Sequence, residues 1–112
     1  MKPPIGASHR QYVSDRAERD SAFAEAYDAM GVELELALQL VEARERRGMT
    51  QRDLAAASGV KQPMIARIER ASQSPGPATL VRLLRALQAS LHIERDGRVA
   101  IDLAEPAESR AL

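Results

Sequence analysis

The apolar positions of the chain change their period along its length. From Asp15 to Met30, the residues Ala22, Phe23, Ala26, Tyr27 and Met30 recur at spacings of three and four. That spacing predicts an amphipathic helix, which Gly31 interrupts. Residues 32–47 read as a second helix, made strongly apolar by Leu34, Leu36, Leu38, Leu40, Val41 and Ala43. Its last turn, Arg44-Glu45-Arg46-Arg47, places positive charge where the helix dipole favours it, and Gly48 ends it. Thr50 then opens a short helix over Gln51–Ala57, with Asp53 spaced as in a capping box. Ser58-Gly59-Val60 reads as a tight turn. Another helix runs from Gln62 to Arg70 and tolerates Pro63 because that residue lies in its first turn. A loop rich in Ser, Pro and Gly leads to a helix over Ala78–Ala89, with Leu80, Leu83, Leu84 and Leu87 on one side. Beyond it the period falls to two. Leu91, Ile93 and Arg95 alternate with His92 and Glu94, and Val99, Ile101 and Leu103 alternate with Ala100 and Asp102. Asp96-Gly97 between them is a strong hairpin signal.

These elements divide the chain into five parts. They are a flexible leader over 1–14, an amphipathic helix over 15–31, a helical domain over 32–90, a hairpin over 91–103 and a polar tail over 104–112.

Composition narrows the class. The 112 residues suit one domain. Three aromatic residues, none of them Trp, speak against a single-strand nucleic-acid binder that stacks bases on rings. The absence of cysteine removes disulfide scaffolds, cysteine-ligated zinc and thiol chemistry. The N-terminus lacks the apolar stretch of a secretion signal, so the expected location is the cytoplasm. Net charge is zero but unevenly spread. Residues 1–40 hold 4 basic and 7 acidic side chains, whereas residues 41–95 hold 10 basic and 5 acidic. A basic middle between acidic ends suits a phosphate-facing core.

The stretch Gln51 to Arg70 carries the most information. Two short helices meet at a glycine turn. Ala55 is small where the helices cross, and Gly59 stands where the backbone needs a positive φ. Leu54, Val60, Ile65 and Ile68 are apolar where the corner is buried. This is the pattern of a helix-turn-helix unit. Gly48-Met49-Thr50-Gln51, Leu54-Ala55, Gly59-Val60, Gln62, Ile65 and Ile68-Glu69 resemble the XRE/Cro–C1-type repressor family, and Pro75, Thr79-Leu80 and Ala86-Leu87 continue the likeness. It covers about residues 34–90. The resemblance implies a mostly α fold: a five-helix, lambda-repressor-like helix-turn-helix domain followed here by a C-terminal β-hairpin.

It also implies site residues. The second helix of the pair enters the major groove of duplex DNA, with Lys61, Gln62, Pro63, Met64 and Arg67 placed to read bases. Gln matches adenine and Arg matches guanine in two-bond contacts, whereas Pro63 and Met64 offer apolar contact only. Gln51, Arg52, Arg70, Ser72, Gln73 and Ser74 are the phosphate candidates, with Arg47 a weaker one. Arg44 and Glu69 resemble an internal ion pair of the family.

With Phe23-Ala24-Glu25-Ala26-Tyr27 ahead of the domain and an Ile93/Ile101 hairpin behind it, this small single-domain chain resembles HigA-type antitoxins. That resemblance implies a HigB/RelE-like, mRNA-cleaving toxin as partner, together with repression of the shared operon by a homodimer on operator DNA. Phe23, Ala26, Tyr27 and Met30, on an acidic helix, are the candidate toxin contacts; an ordinary core helix is the alternative for that stripe. Leu91, Ile93, Val99 and Ile101 are the candidate dimer contacts; a hairpin folded back on its own domain is the alternative there. A stand-alone XRE-type repressor without a toxin is the other functional reading. Catalysis is not expected, because the chain has no cysteine nucleophile, no glycine-rich phosphate loop and no paired carboxylates. No cofactor or metal is expected.

Overall fold

The computed structural model describes residues 18–22, 25 and 31–104. Four helices and two strands follow one another there: α1 (Val32–Arg46), α2 (Gln51–Ser58), α3 (Gln62–Glu69), α4 (Pro77–Leu87), β1 (Ala89–Ile93) and β2 (Val99–Leu103). The architecture is thus mostly helical with a small antiparallel sheet. Four of the five expected helices fall among the described residues. The remaining one, from Asp15 to Met30, lies largely outside them, as do the leader, Phe23, Ala26, Tyr27, Met30 and residues 105–112. No helix among the described residues is long and apolar enough to cross a membrane.

Local chemistry sets the helix ends. Thr50 accepts the amide of Asp53 through its hydroxyl at 3.0 Å, and the Asp53 carboxylate accepts the Thr50 amide at 2.9 Å, completing a capping box at the start of α2. Those bonds from the Thr50 backbone and side chain hold the Asp53 carboxyl below its ordinary range. Gly59 closes α2 in the left-handed region, at φ 79°, where a side chain would be strained. Pro63 sits in the first turn of α3 and Pro77 in that of α4, where a missing amide removes no helical bond.

One core joins all the elements. Leu40 and Ala43 of α1, Leu54 of α2, Val60 of the turn, Ile65 and Ile68 of α3, Leu83 and Leu87 of α4, and Ile101 and Leu103 of β2 form a single buried cluster. The hairpin is therefore part of the domain. Val99 and Ile101, expected as dimer contacts, are buried within this chain's own core. Leu91 is half-buried against the same cluster, and Ile93 alone of the four stays 74% exposed.

The turn also differs from a two-residue hairpin. The Glu94 amide donates to the Arg98 carbonyl at 2.8 Å and the Gly97 amide to the Glu94 carbonyl at 2.9 Å. Gly97 is left-handed at φ 87°. Arg95, Asp96 and Gly97 thus form a three-residue loop with a glycine bulge, and Arg95 belongs to the turn instead of the strand.

Helix α1 carries two polar residues, Glu35 and Gln39, that are each only 2% exposed. They face β2. Glu35 accepts the Val99 amide at 2.8 Å, and Gln39 accepts the Ile101 amide at 2.6 Å while donating to the Val99 carbonyl at 2.7 Å. Arg98 closes on the Glu35 carboxylate at 3.3 Å. The helix supplies to β2 the hydrogen bonds that a third strand would have made, so none of these buried groups is stranded. Arg47 ties the other end of the hairpin down. Its guanidinium donates to the carbonyls of Leu87, Gln88 and Ala104 at 2.8, 3.1 and 2.9 Å. That anchoring engages its Nε and Nη2.

Replacing Gln39 by Leu keeps the volume but strands the Ile101 amide and the Val99 carbonyl. Each buried group left without a partner costs about 1–3 kcal/mol. Urea denaturation of Gln39→Leu is expected to show a loss of at least about 2 kcal/mol; an unchanged midpoint would show that water reaches this edge.

Candidate nucleic-acid interface

The α2–turn–α3 unit presents one polar surface. Its inner side is fixed by Leu54, Val60, Ile65 and Ile68, all buried. With those positions inward, the helical period turns Lys61, Pro63, Arg67 and Arg70 outward, and all four are exposed. Gln62 is half-buried. Met64 is half-buried too and packs against the core cluster, which limits what it can offer outside.

Behind this face lies a chain of side-chain hydrogen bonds. Arg44 of α1 grips Glu69 at the end of α3 with two nitrogens: Nε to Oε2 at 2.7 Å and Nη2 to Oε1 at 3.1 Å. A third nitrogen, Nη1, donates to the Met49 carbonyl at 2.8 Å. The pair is largely withdrawn from water, and the Glu69 hydrogen bond raises the Arg44 pKa above its ordinary value against the opposing effect of burial.

Gln51, the first residue of α2, donates from Nε2 to Glu69 Oε1 at 2.9 Å. Gln62, the first residue of α3, donates from Nε2 to Gln51 Oε1 at 2.8 Å. The directions follow from chemistry. An ionised carboxylate only accepts, so Gln51 must turn its NH2 toward Glu69 and its oxygen toward Gln62. Gln62 must then turn its NH2 toward Gln51. Its carbonyl oxygen and second N–H have no partner among the described residues.

Arg67 is oriented from the loop that follows α3. Its Nε donates to Gln73 Oε1 at 3.0 Å, and the Ser72 hydroxyl donates to the Arg67 carbonyl at 3.0 Å. The terminal nitrogens of Arg67 are thereby carried on a side chain held at its middle. The family resemblance implies phosphate contacts for Ser72 and Gln73; in this structure their oxygens engage Arg67. Ser74 and Arg52 are exposed. The Gln51 side chain is occupied by Glu69 and Gln62, but its backbone amide lies in the first helical turn, where no intrahelical carbonyl reaches it.

The positioning roles of Gln51 and Gln73 had no signal in sequence, because each depends on a partner brought near by the fold. The loop contains one further unusual backbone: Ala71 sits at φ 60° after α3, a conformation that costs an L-residue energy.

Replacement of Glu69 by Ala strands the Arg44 charge and frees Gln51. Breaking such a withdrawn pair from one side costs about 3 kcal/mol. Chemical denaturation of Glu69→Ala measures this, and a loss below about 1 kcal/mol would place the pair in the class of solvent-screened surface bridges.

Comparison with known proteins agrees with the geometry. The family model described as helix-turn-helix matches residues 40–93. An uncharacterized HTH-type transcriptional regulator of Haemophilus influenzae is 46% identical over 55 residues, covering 49% of this chain and 56% of that protein. Another of the same description, from Sinorhizobium fredii, is 49% identical over 49 residues, covering 44% of this chain and 25% of its own length. The match thus spans about half or less of these curated relatives. No solved structure matches the chain. The buried corner at Val60, the left-handed Gly59 and the match to the helix-turn-helix family model coincide on the same segment, within residues 40–93.

Proposed function

We propose that this chain is a sequence-specific DNA-binding repressor that also acts as the antitoxin of a type II toxin–antitoxin pair. The observation that carries the DNA-binding part is the Gln51–Glu69 relay. It leaves Gln62 with one acceptor and one donor free on the α3 face, beside exposed Lys61, Pro63 and Arg67. An acceptor and a donor on one amide match the N6 and N7 edge of adenine in the major groove, and a guanidinium matches guanine O6 and N7. Met64 and Pro63 supply apolar contact. The free first-turn amide of Gln51, with Arg52, Arg70 and Ser74, holds phosphates and sets the register.

One such unit reads only a few base pairs, so the protein works as a homodimer on a two-fold operator. The partner is a HigB/RelE-like toxin, an RNA-cleaving and therefore basic protein. It docks on the acidic N-terminal portion through Phe23, Ala26, Tyr27 and Met30. The excess of acidic over basic residues in 1–40 supports that docking. The protein acts in the cytoplasm, without a cofactor and without catalysis. The relatives' descriptions as transcriptional regulators favour a second reading, a stand-alone repressor with no toxin.

Two measurements test this. Arg67→Ala is expected to weaken binding to DNA from the protein's own promoter by about ten- to a hundredfold, as loss of one base contact predicts, with little effect on random duplex. An equal loss on both would remove Arg67 from base reading. Deleting residues 1–30, which precede α1, is expected to leave operator binding intact and abolish rescue of cells from the toxin. Rescue by the truncated chain would overturn the N-terminal docking.

A further inference from the structure

We propose that the outer edge of β1 is a pairing edge for a second copy of this chain, the two β1 strands running antiparallel about a two-fold axis at Leu91. The inference rests on the dimeric reading above and identifies the surface that makes the dimer.

Strand parity carries it. In an antiparallel pair, alternate residues turn their N–H and C=O toward the neighbouring strand and the others turn them away. The bonds from the Glu94 amide to the Arg98 carbonyl and from the Ala104 amide to the Gln88 carbonyl bracket the ladder at both ends. Even-numbered residues therefore exchange the bonds within the hairpin. Ala89, Leu91 and Ile93 on β1, like Val99, Ile101 and Leu103 on β2, direct theirs outward. On β2 the outward groups of Val99 and the outward amide of Ile101 are taken by Glu35 and Gln39. On β1 those of Leu91 and Ile93 have no partner among the described residues, and the sheet there ends at two strands.

The edge also lacks the usual guards. Ala89-Ser90-Leu91-His92-Ile93 contains no proline and no Lys, Arg, Asp or Glu. It ends in Ile93, the most exposed large apolar residue described. Charge selects the occupant. A strand without fixed charge meets its own copy without repulsion, whereas a basic protein such as the proposed toxin finds no carboxylate on it. The edge is also self-complementary. With the axis at Leu91, that residue faces the partner's Leu91, and exposed Ile93 faces the small Ala89 of the partner subunit. All three outward-directed residues then find ladder partners. Moving the axis to His92 leaves Ala89 opposite the partner's Arg95, a turn residue, and loses a pair.

The chain has no cysteine, so one introduced thiol reports cleanly. In the full-length protein, Leu91→Cys is expected to form a disulfide-linked dimer under mild oxidation, because hydrogen-bonded antiparallel partners place Cα atoms about 5.5 Å apart, within disulfide reach. Ser90→Cys, facing the partner's His92 instead of its own copy, is expected not to. Ile93→Pro removes an outward N–H without breaking a bond inside the hairpin. It is expected to raise the dimer dissociation constant at least about tenfold in sedimentation equilibrium, with an unchanged circular dichroism spectrum. Persistence of a wild-type-strength dimer in Ile93→Pro, with no cross-link at Leu91→Cys, would overturn the edge while leaving a dimeric repressor standing. A wild-type chain that stays monomeric at about 100 μM, far above a typical dimer constant, would overturn both.

Discussion

The carboxylate of Glu69 is where the helices of this domain are brought to agree. Three hydrogen bonds converge on its two oxygens, from Arg44 on α1 and from Gln51 on α2. Its energetic role is modest in net terms. Withdrawing two charges from water costs nearly what their attraction returns, and burial of the apolar cluster supplies most of the stabilisation. Its geometric role is larger. Apolar side chains fix the spacing of three helices but tolerate small slides and rotations; a two-pronged bond between α1 and α3 does not. Because a carboxylate accepts only, it also imposes a direction that passes through Gln51 to Gln62. The polarity of an amide at the protein surface is thus set by a charge withdrawn from water two residues away in the relay.

The hairpin shows the same economy at the other end of the domain. A two-stranded sheet is marginal by itself. Here it is held on one face by the cluster around Leu87, Ile101 and Leu103, along one edge by α1, and at its base by the Arg47 guanidinium. These three attachments draw on α1, α4 and the strands together.

Features that depend on near neighbours were legible in sequence. The capping box of Thr50 and Asp53, the left-handed Gly59, the two first-turn prolines and the buried stripe Leu54, Val60, Ile65 and Ile68 each follow from residues a few positions apart, and together they locate the second helix of the pair. What escaped depends on distance along the chain. Glu35 and Gln39 carry no local signal of burial, because their partners lie about 60 residues on. Leu34 and Leu38 belong to the apolar run of this helix yet are close to half exposed, since apolar counts alone do not say which stripe of a helix faces inward. Arg47 reads in sequence as a weaker phosphate candidate because nothing local shows that three carbonyls converge on it. The hairpin was foreseen, but its loop length was not: Asp-Gly serves two-residue turns and glycine-bulge turns alike.

The substitution of helix side chains for a strand has an architectural consequence. A hairpin with two bare edges can add strands on either side and lengthen into a fibre. Once Glu35 and Gln39 have closed one side, growth in that direction has no template. Any assembly through backbone pairing must then terminate at a closed pair instead of an open filament, so an uncharged strand can remain exposed without seeding aggregates.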